Sequence, residues 1–236
     1  MYERSAAIYD AIYRTQRKDY RLEVVKLEAL IDRYKVSDGN RLLDVGCGTG
    51  GHFAFLRDHF DVQVLDNSEA MLAQAQTKHP DIRFHRADMA DFNLGEQFDV
   101  ITCLFSAIGY TQTLPRLNHT FATFARHLRL GGVVLVEPWF GPGILQDNKV
   151  WATFVDEPEL KVARMNINRI EGGLSYLDFH YMVGTPQGIE YFQDTQVMGL
   201  FTHAEYMQAV KAAGLKAIHD EAGLDGRGLY IGVREA

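Results

Sequence analysis

The chain has 236 residues, 47% of them hydrophobic, and a formal net charge of −7. That length buries a full core as one domain, with room for an inserted cap. The acidic balance argues against a general affinity for nucleic acid or an anionic membrane surface. No apolar run reaches the ~18 residues of a membrane span, and the start, Met1-Tyr2-Glu3-Arg4, is unlike a signal peptide. The two cysteines, Cys47 and Cys103, lack metal-type spacing. They fit a reduced, cytoplasmic protein rather than a disulfide scaffold, and no metal is expected. There is no internal repeat and no low-complexity tract.

Residues 2–35 predict two helices, with Ile8 and Ile12, Tyr9 and Tyr13 at helical spacing, then an apolar face of Leu22, Val25, Leu27 and Leu30. The polar stretch Arg14–Tyr20 separates them. The pair reads as a cover for the sheet, and its tyrosines, Tyr2, Tyr9, Tyr13 and Tyr20, as part of a lid over a ligand. From Arg41 to Val136 strands and helices alternate. Strands are predicted at Leu42–Val45, Val62–Leu65, Ile82–His85, Phe98–Cys103 and Val133–Glu137, and helices at 51–58, 68–78 and 114–128. The alternation predicts a doubly wound, mostly parallel sheet, in which ligands bind beyond the carboxyl ends of the strands where the strand order switches.

Residues 149–200 change character. Four alternating runs, Val150–Val155, Leu160–Ile170, Leu174–Val183 and Ile189–Leu200, are separated by Gly172-Gly173 and Pro186-Gln187-Gly188. They predict an antiparallel meander inserted after the fifth strand. A helix over 203–213 ended by Gly214, then strands at 215–219 and 228–234, close the main sheet. The expected division is a core of 1–148 and 201–236, with 149–200 as a β cap over the substrate site.

The chain turns on Leu42–Gly51. Gly46-Cys47-Gly48-Thr49-Gly50-Gly51 satisfies G-x-G-x-x-G, and Asp66 lies twenty residues after Gly46, as in a dinucleotide fingerprint. Asp44 decides against that reading. A carboxylate two positions before the first glycine repels a pyrophosphate and suits a cationic group, such as the ammonium of a methionine moiety. Asp66, ending the second strand, can accept ribose hydroxyls. Asp88 can take an adenine amino group while Met89 covers the ring, and Cys103–Phe105 ends the fourth strand beside the same ligand.

Leu42–Gly50, Asp66, Asp88-Met89 and Phe98-Asp99-Val100-Ile101 resemble the ordered motifs of class I S-adenosylmethionine-dependent methyltransferases. A narrower resemblance extends over nearly the whole chain, to the N,N-dimethyltransferases of dTDP-linked amino sugars in antibiotic biosynthesis. Its matching stretches include Ile8-Tyr9-Asp10, Lys18-Asp19-Tyr20, Phe105-Ser106, Ile108-Gly109, Glu137-Pro138-Trp139, Asp178-Phe179-His180 and Gly226-Arg227-Gly228-Leu229. The chain departs from the family pattern at Tyr110, where the family has histidine, and at Phe140, where it often has a second tryptophan. It departs again at Glu190, Gln193 and Gln196, which replace a histidine-rich stretch.

The resemblance implies a seven-stranded Rossmann-like core with a β cap. It also implies a methyltransferase that uses S-adenosylmethionine and releases S-adenosylhomocysteine. The implied cofactor residues are Tyr9, Tyr20, Asp44, Gly46, Gly48, Asp66, Asn67, Met71, Asp88, Met89, Cys103 and Phe105. Tyr110, at the position of the family's histidine and in the loop after the fourth strand, is the candidate catalytic residue. Tyr2, Trp139, Asp178, His180 and Arg227 are expected to bind the acceptor, with Arg227, assisted by Tyr2, meeting its diphosphate. The expected partners are a small molecule and a second copy in a homodimer, with neither nucleic acid nor membrane. The alternative is N-, O- or C-methylation of another small metabolite, such as an indole or an amino-acid derivative.

Overall fold

The computed structural model describes residues 2–235; Met1 and Ala236, the outer limits of the expected core, lie outside them. Helices α1 (Ala6–Thr15) and α2 (Tyr20–Tyr34) precede the sheet. Asp19 caps α2 by accepting from the Leu22 amide at 2.9 Å, which places Lys18 and Asp19 in the corner between the two helices.

The main sheet takes β1 (Arg41–Val45), β2 (Asp61–Asp66), β3 (Arg83–Arg86), β4 (Phe98–Cys103), β5 (Leu128–Val136), β10 (Lys216–Asp220) and β11 (Leu229–Val233). They lie in the order β10-β11-β5-β4-β1-β2-β3. β1–β5 are mutually parallel, while β11 runs antiparallel to both β5 and β10. Strand order reverses at β1, which lies between β2 and β4, so the carboxyl end of β1 opens on the crevice where ligands bind in such sheets.

Both faces of the sheet are buried, because alternate side chains supply two separate cores. Leu43, Val45, Ile101 and Val134 pack under α5 (Leu114–His127) and α6 (His203–Ala212). Leu42, Val64, Val100 and Leu135 pack under α2, α3 (Phe53–Leu56) and α4 (Glu69–Lys78). The helices begin where their caps dictate. Ser68 and Thr113 cap α4 and α5, and Thr202 with Glu205 forms a reciprocal capping box on α6.

The largest differences from the sequence reading are in two elements. The helix expected over 51–58 shortens to four residues, because the glycine-rich turn occupies its first positions. β5 starts at Leu128 rather than Val133, since the chain leaves α5 directly in extended conformation and a bulge between Phe98 and Val100 absorbs the extra residues.

The second sheet is a four-stranded antiparallel meander of β6 (Val150–Glu157), β7 (Leu160–Glu171), β8 (Leu174–Thr185) and β9 (Gly188–Gly199). Gly172 and Gly173, at φ 59° and 80°, form the tight turn between β7 and β8, a conformation that favours glycine at both positions. The inner face of the meander carries Val155, Val162, Leu177, Phe179, Tyr181 and Phe192, packed on Ile8, Ala11 and Ile12 of α1. Helix α1 therefore lies between cap and core. Arg14 ties it to Glu157 of the cap at 2.7 Å, and Asp10 ties it to Thr49 of the glycine turn and to Lys78 of α4.

Candidate active site

A pocket opens at the carboxyl ends of β1, β2 and β4, between the glycine turn, α1 and the inner face of the cap. Its floor is the turn after β1. The Gly46 and Cys47 amides both donate to the Leu65 carbonyl, at 2.7 and 3.2 Å, which folds the turn back over β2. Gly46 has φ 71°, and a β-carbon there would lie 2.6 Å from that of Ala107, so only glycine fits.

Asp44 sits beneath this floor, 3% exposed, accepting from the Thr102 hydroxyl at 2.8 Å. Burial pushes its carboxyl up to about 6; His52 draws it back down and Asp66 adds to the rise. A buried carboxylate that faces a pocket with one neutral donor calls for a cation. The ammonium of S-adenosylmethionine fits that requirement, and a pyrophosphate does not. Asp66 is also raised by burial, although the Ser68, Gly48 and Asn67 amides favour its charge. It accepts from Gly48 at 2.9 Å and Ser68 at 2.8 Å. These amides use part of its capacity of about four lone-pair sites, and the remainder is open to a ribose hydroxyl.

Asn67, Met71, Met89 and Phe105 line the same end of the pocket, with Tyr9, Tyr13 and Tyr20 descending from the N-terminal helices. Tyr20 stands edge-on to His52, with centroids 4.9 Å apart, and Tyr13 edge-on to Phe105 at 4.9 Å. Beside them Glu23 accepts from His52 Nε2 at 2.8 Å and pairs with the Lys18 ammonium, which also lies 4.1 Å from the Phe105 centroid. The corner between α1 and α2 is thus fastened to His52 through a buried ion cluster, which its polar sequence alone did not announce.

On the opposite side, Tyr110 donates to Gln196 Oε1 at 2.7 Å, Tyr2 reaches the same oxygen at 3.1 Å, and the two phenols touch each other. Burial pushes both phenols well above their usual range, so they keep their protons. Trp139 lines the pocket and donates its indole N–H to Ser175 of β8 at 2.9 Å, fixing the loop after β5 to the cap.

Several expected positions differ. Asp88 does not line the pocket: Arg116, on the first turn of α5, takes both its oxygens at 3.0 and 2.7 Å, and its side chain is 43% exposed. Ala87 and Met89 line the pocket on either side of it. Cys103 is fully buried beneath the pocket, in the core of the sheet, and Leu104 and Phe105 take the lining positions. Asp178 and His180 lie on the outer face of β8. Asp178 pairs with Arg169 and Thr195, and His180 with Tyr191. The alternate residues Leu177 and Phe179 face the pocket instead, because a strand's inner face is its apolar one.

Gln196 also points inward; Glu190 lies on the same face farther along β9 and pairs with Arg4, whereas Gln193 bonds Tyr191 on the outer face. Tyr2 spends its hydroxyl on Tyr110 and Gln196 rather than on a phosphate. Arg227 lines the pocket but is not a free cation. Nη1 donates to Ser106 Oγ at 2.6 Å, Nη2 to Glu137 at 2.8 Å, and Nε and Nη2 both reach Asp225.

Comparison with known proteins agrees with this geometry. Residues 42–132 match a family described as a methyltransferase domain. The dTDP-3-amino-3,4,6-trideoxy-alpha-D-glucopyranose N,N-dimethyltransferase of Streptomyces venezuelae is 39% identical over 236 residues, 99% of each chain. The dTDP-4-amino-2,3,4,6-tetradeoxy-D-glucose N,N-dimethyltransferase of Saccharopolyspora spinosa is 36% identical, covering 97% of this chain and 92% of that one. Among solved structures, Streptomyces venezuelae DesVI superposes with a TM-score of 0.91 at 38% identity over 98% of both chains. S-adenosylmethionine-bound CalS10, an amino pentose methyltransferase from Micromonospora echinaspora, gives 0.85 at 36% identity over 96% of both.

Proposed function

The chain belongs to the dTDP-amino-sugar N,N-dimethyltransferase family, and from that premise we propose that it methylates the amino nitrogen of a nucleotide-linked amino sugar in natural-product biosynthesis. The observation that carries this reading is a single pocket joining the buried Asp44 to the Tyr2–Tyr110–Gln196 cluster and to Arg227. The core of 1–148 and 201–236 holds the cofactor, and the cap of 149–200 closes the acceptor side. Asp44, Asp66 and the glycine turn bind S-adenosylmethionine, with Asn67, Met71, Met89 and Phe105 around it. The outer side of Arg227 meets the acceptor's diphosphate.

S-adenosylmethionine supplies an activated methyl group and a neutral thioether as leaving group. The chain's task is then to position an amine and keep water away. The acceptor amine must be neutral when it attacks. The phenol of Tyr110 stays protonated, so it orients that amine by a hydrogen bond, while solvent takes the proton. Tyr110→Phe is therefore expected to lower kcat only about 2- to 12-fold, the value of one hydrogen bond of about 0.5–1.5 kcal/mol, since Tyr2 and Gln196 remain bonded to each other. Cofactor affinity, read by calorimetry, stays the same. A fall of several orders of magnitude with the fold intact would give the hydroxyl a larger chemical part.

The acceptor is tested with labelled cofactor against dTDP-linked amino sugars, free amino sugars, indoles, amino acids and phenols. Efficient methylation of a phosphate-free metabolite, with dTDP-linked amino sugars inert, would replace this reading by the alternative small-metabolite one. The outer face of the cap exposes Phe154, Met165, Met182, Ile189 and Tyr191 on neighbouring strands, which supports a homodimer formed by two caps. Sedimentation at the monomer mass would remove that proposal. Among the described residues no helix is long and apolar enough to cross a membrane; a cytoplasmic site of action suits the reduced cysteines Cys47 and Cys103.

A further inference from the structure

We propose that Asp225 is an internal competitor for the acceptor's phosphate. Its carboxylate occupies the outer side of the Arg227 fork in the free protein and leaves when an anion arrives, so it sets how strongly the acceptor binds. The inference rests on the acceptor reading above.

Arg227 has an inner and an outer set of partners. On the inner side, Nη1 donates to Ser106 Oγ at 2.6 Å and Nη2 to Glu137 Oε1 at 2.8 Å. Both acceptors are buried and held in turn, Glu137 by the Phe105 amide at 2.5 Å and Ser106 by its own bond to the Pro138 carbonyl at 2.7 Å. Movement on this side would disturb the Phe105–Ser106 turn that these bonds hold. On the outer side, Nε lies 3.0 and 3.1 Å from the two Asp225 oxygens and Nη2 lies 2.6 Å from one of them. That side-on fork is the contact arginine makes with a phosphate. Asp225 is 35% exposed and Glu137 is fully buried, so the outer partner is the one that can hydrate and depart.

Charge makes the exchange necessary. One guanidinium between two carboxylates leaves this trio with one formal negative charge, and the nearby Lys18 ammonium is itself paired with Glu23, so the trio repels a diphosphate. Departure of Asp225 brings the cluster to neutrality and frees two N–H groups. The backbone permits the movement. Gly223, Gly226 and Gly228 have φ of 54°, 91° and 80°, and a β-carbon added to Gly226, between Asp225 and Arg227, would meet nothing within 4 Å. The left-handed conformations come at little cost for glycine.

The test uses the full chain without cofactor, titrated with inorganic pyrophosphate in a calorimeter, alongside steady-state kinetics with a dTDP-linked amino sugar. Asp225→Asn should bind pyrophosphate up to about 5-fold more tightly than the parent, the range expected for removing a partly exposed opposing charge. KM for the acceptor should fall by the same factor, with the change in KM rather than kcat. Asp225→Glu keeps a competitor and should restore the parent values, which separates loss of the charge from loss of a loop contact. If pyrophosphate binds equally or more weakly to Asp225→Asn while dTDP-linked sugars remain preferred, Asp225 is only a clamp on Arg227 and the inference falls. If pyrophosphate binds neither protein and phosphate-free amino sugars are methylated equally well, the acceptor reading fails as well.

Discussion

Asp44→Asn is expected to weaken S-adenosylmethionine binding by about 30- to 4,000-fold while raising the melting temperature of the cofactor-free protein at pH 8. Removing one partner of a buried, hydrogen-bonded charge pair costs roughly 2–5 kcal/mol, which gives that range of affinity. The gain in stability follows from the same burial. The Asp44 carboxyl rises from 3.8 to about 6 in the folded chain, mainly through desolvation. The folded protein therefore holds a proton that the unfolded chain has released between those values. Stability is lost as pH rises through that window, and above about pH 6 the full penalty, about 3 kcal/mol, is present.

The amide variant keeps an acceptor for Thr102 and removes the penalty. Cofactor binding runs the other way. A cation beside Asp44 pulls its pKa back down, so binding expels a proton below about pH 6 and affinity rises with pH through that region. Calorimetry at pH 5.5 in two buffers of different ionisation heat measures the expelled proton directly. An Asp44→Asn protein that binds the cofactor normally, or that melts no higher than the parent at pH 8, would remove Asp44 from this role.

Much of this site was legible because its chemistry is local. Asp44, Gly46 and Gly48 stand within one strand and its turn, and Asp66 ends the next parallel strand, so order along the chain nearly equals order in space. The doubly wound sheet followed from the same alternation. The cap was harder. Alternation in Leu174–Val183 defines two faces; Asp178 and His180 carry the chemistry on one, whereas Leu177 and Phe179 on the other line the pocket. The apolar alternate was the available signal, since a cap buries its apolar face whether or not a site lies beneath it. Asp88 and the partners of Arg227 were missed for a different reason. Asp88 and Arg227 each sit where the motif puts them, but the state of each is set by Arg116, Glu137 and Asp225, partners that only the fold brings near. No spacing rule reports such a pairing.

The same pairing sets the second large effect. Arg227→Met is expected to lower stability by about 3–5 kcal/mol, because it strands the Glu137 carboxylate, 0% exposed, without its counterion. For a chain of this size that is a fall of roughly 6–20 °C in melting temperature. Asp225 contributes little to the loss, since its partly exposed carboxylate can hydrate. Adding Glu137→Gln to Arg227→Met removes the stranded charge while keeping an acceptor for the Phe105 amide, and should recover most of the stability.

Glu137 is already raised by burial, against the pull of Arg227 and Lys18. Without Arg227 it rises further, the folded state binds a proton more readily than the unfolded chain, and the single variant should regain stability as pH falls. The effect reaches the site. Phe105 and Ser106 hold φ of 49° and 62°, left-handed values that non-glycine residues keep only where their surroundings enforce them. Glu137 grips the Phe105 amide and Arg227 the Ser106 hydroxyl, and the ring so placed stands against Tyr13 and beneath Lys18. Relaxation of this turn should loosen the lid and weaken cofactor binding in Arg227→Met, with partial return in the double variant. Chemical denaturation of the three proteins at pH 6 and pH 8 decides the matter. A double variant no more stable than the single, or a single variant losing less than about 1 kcal/mol, would mean that Glu137 does not depend on Arg227 for its charge.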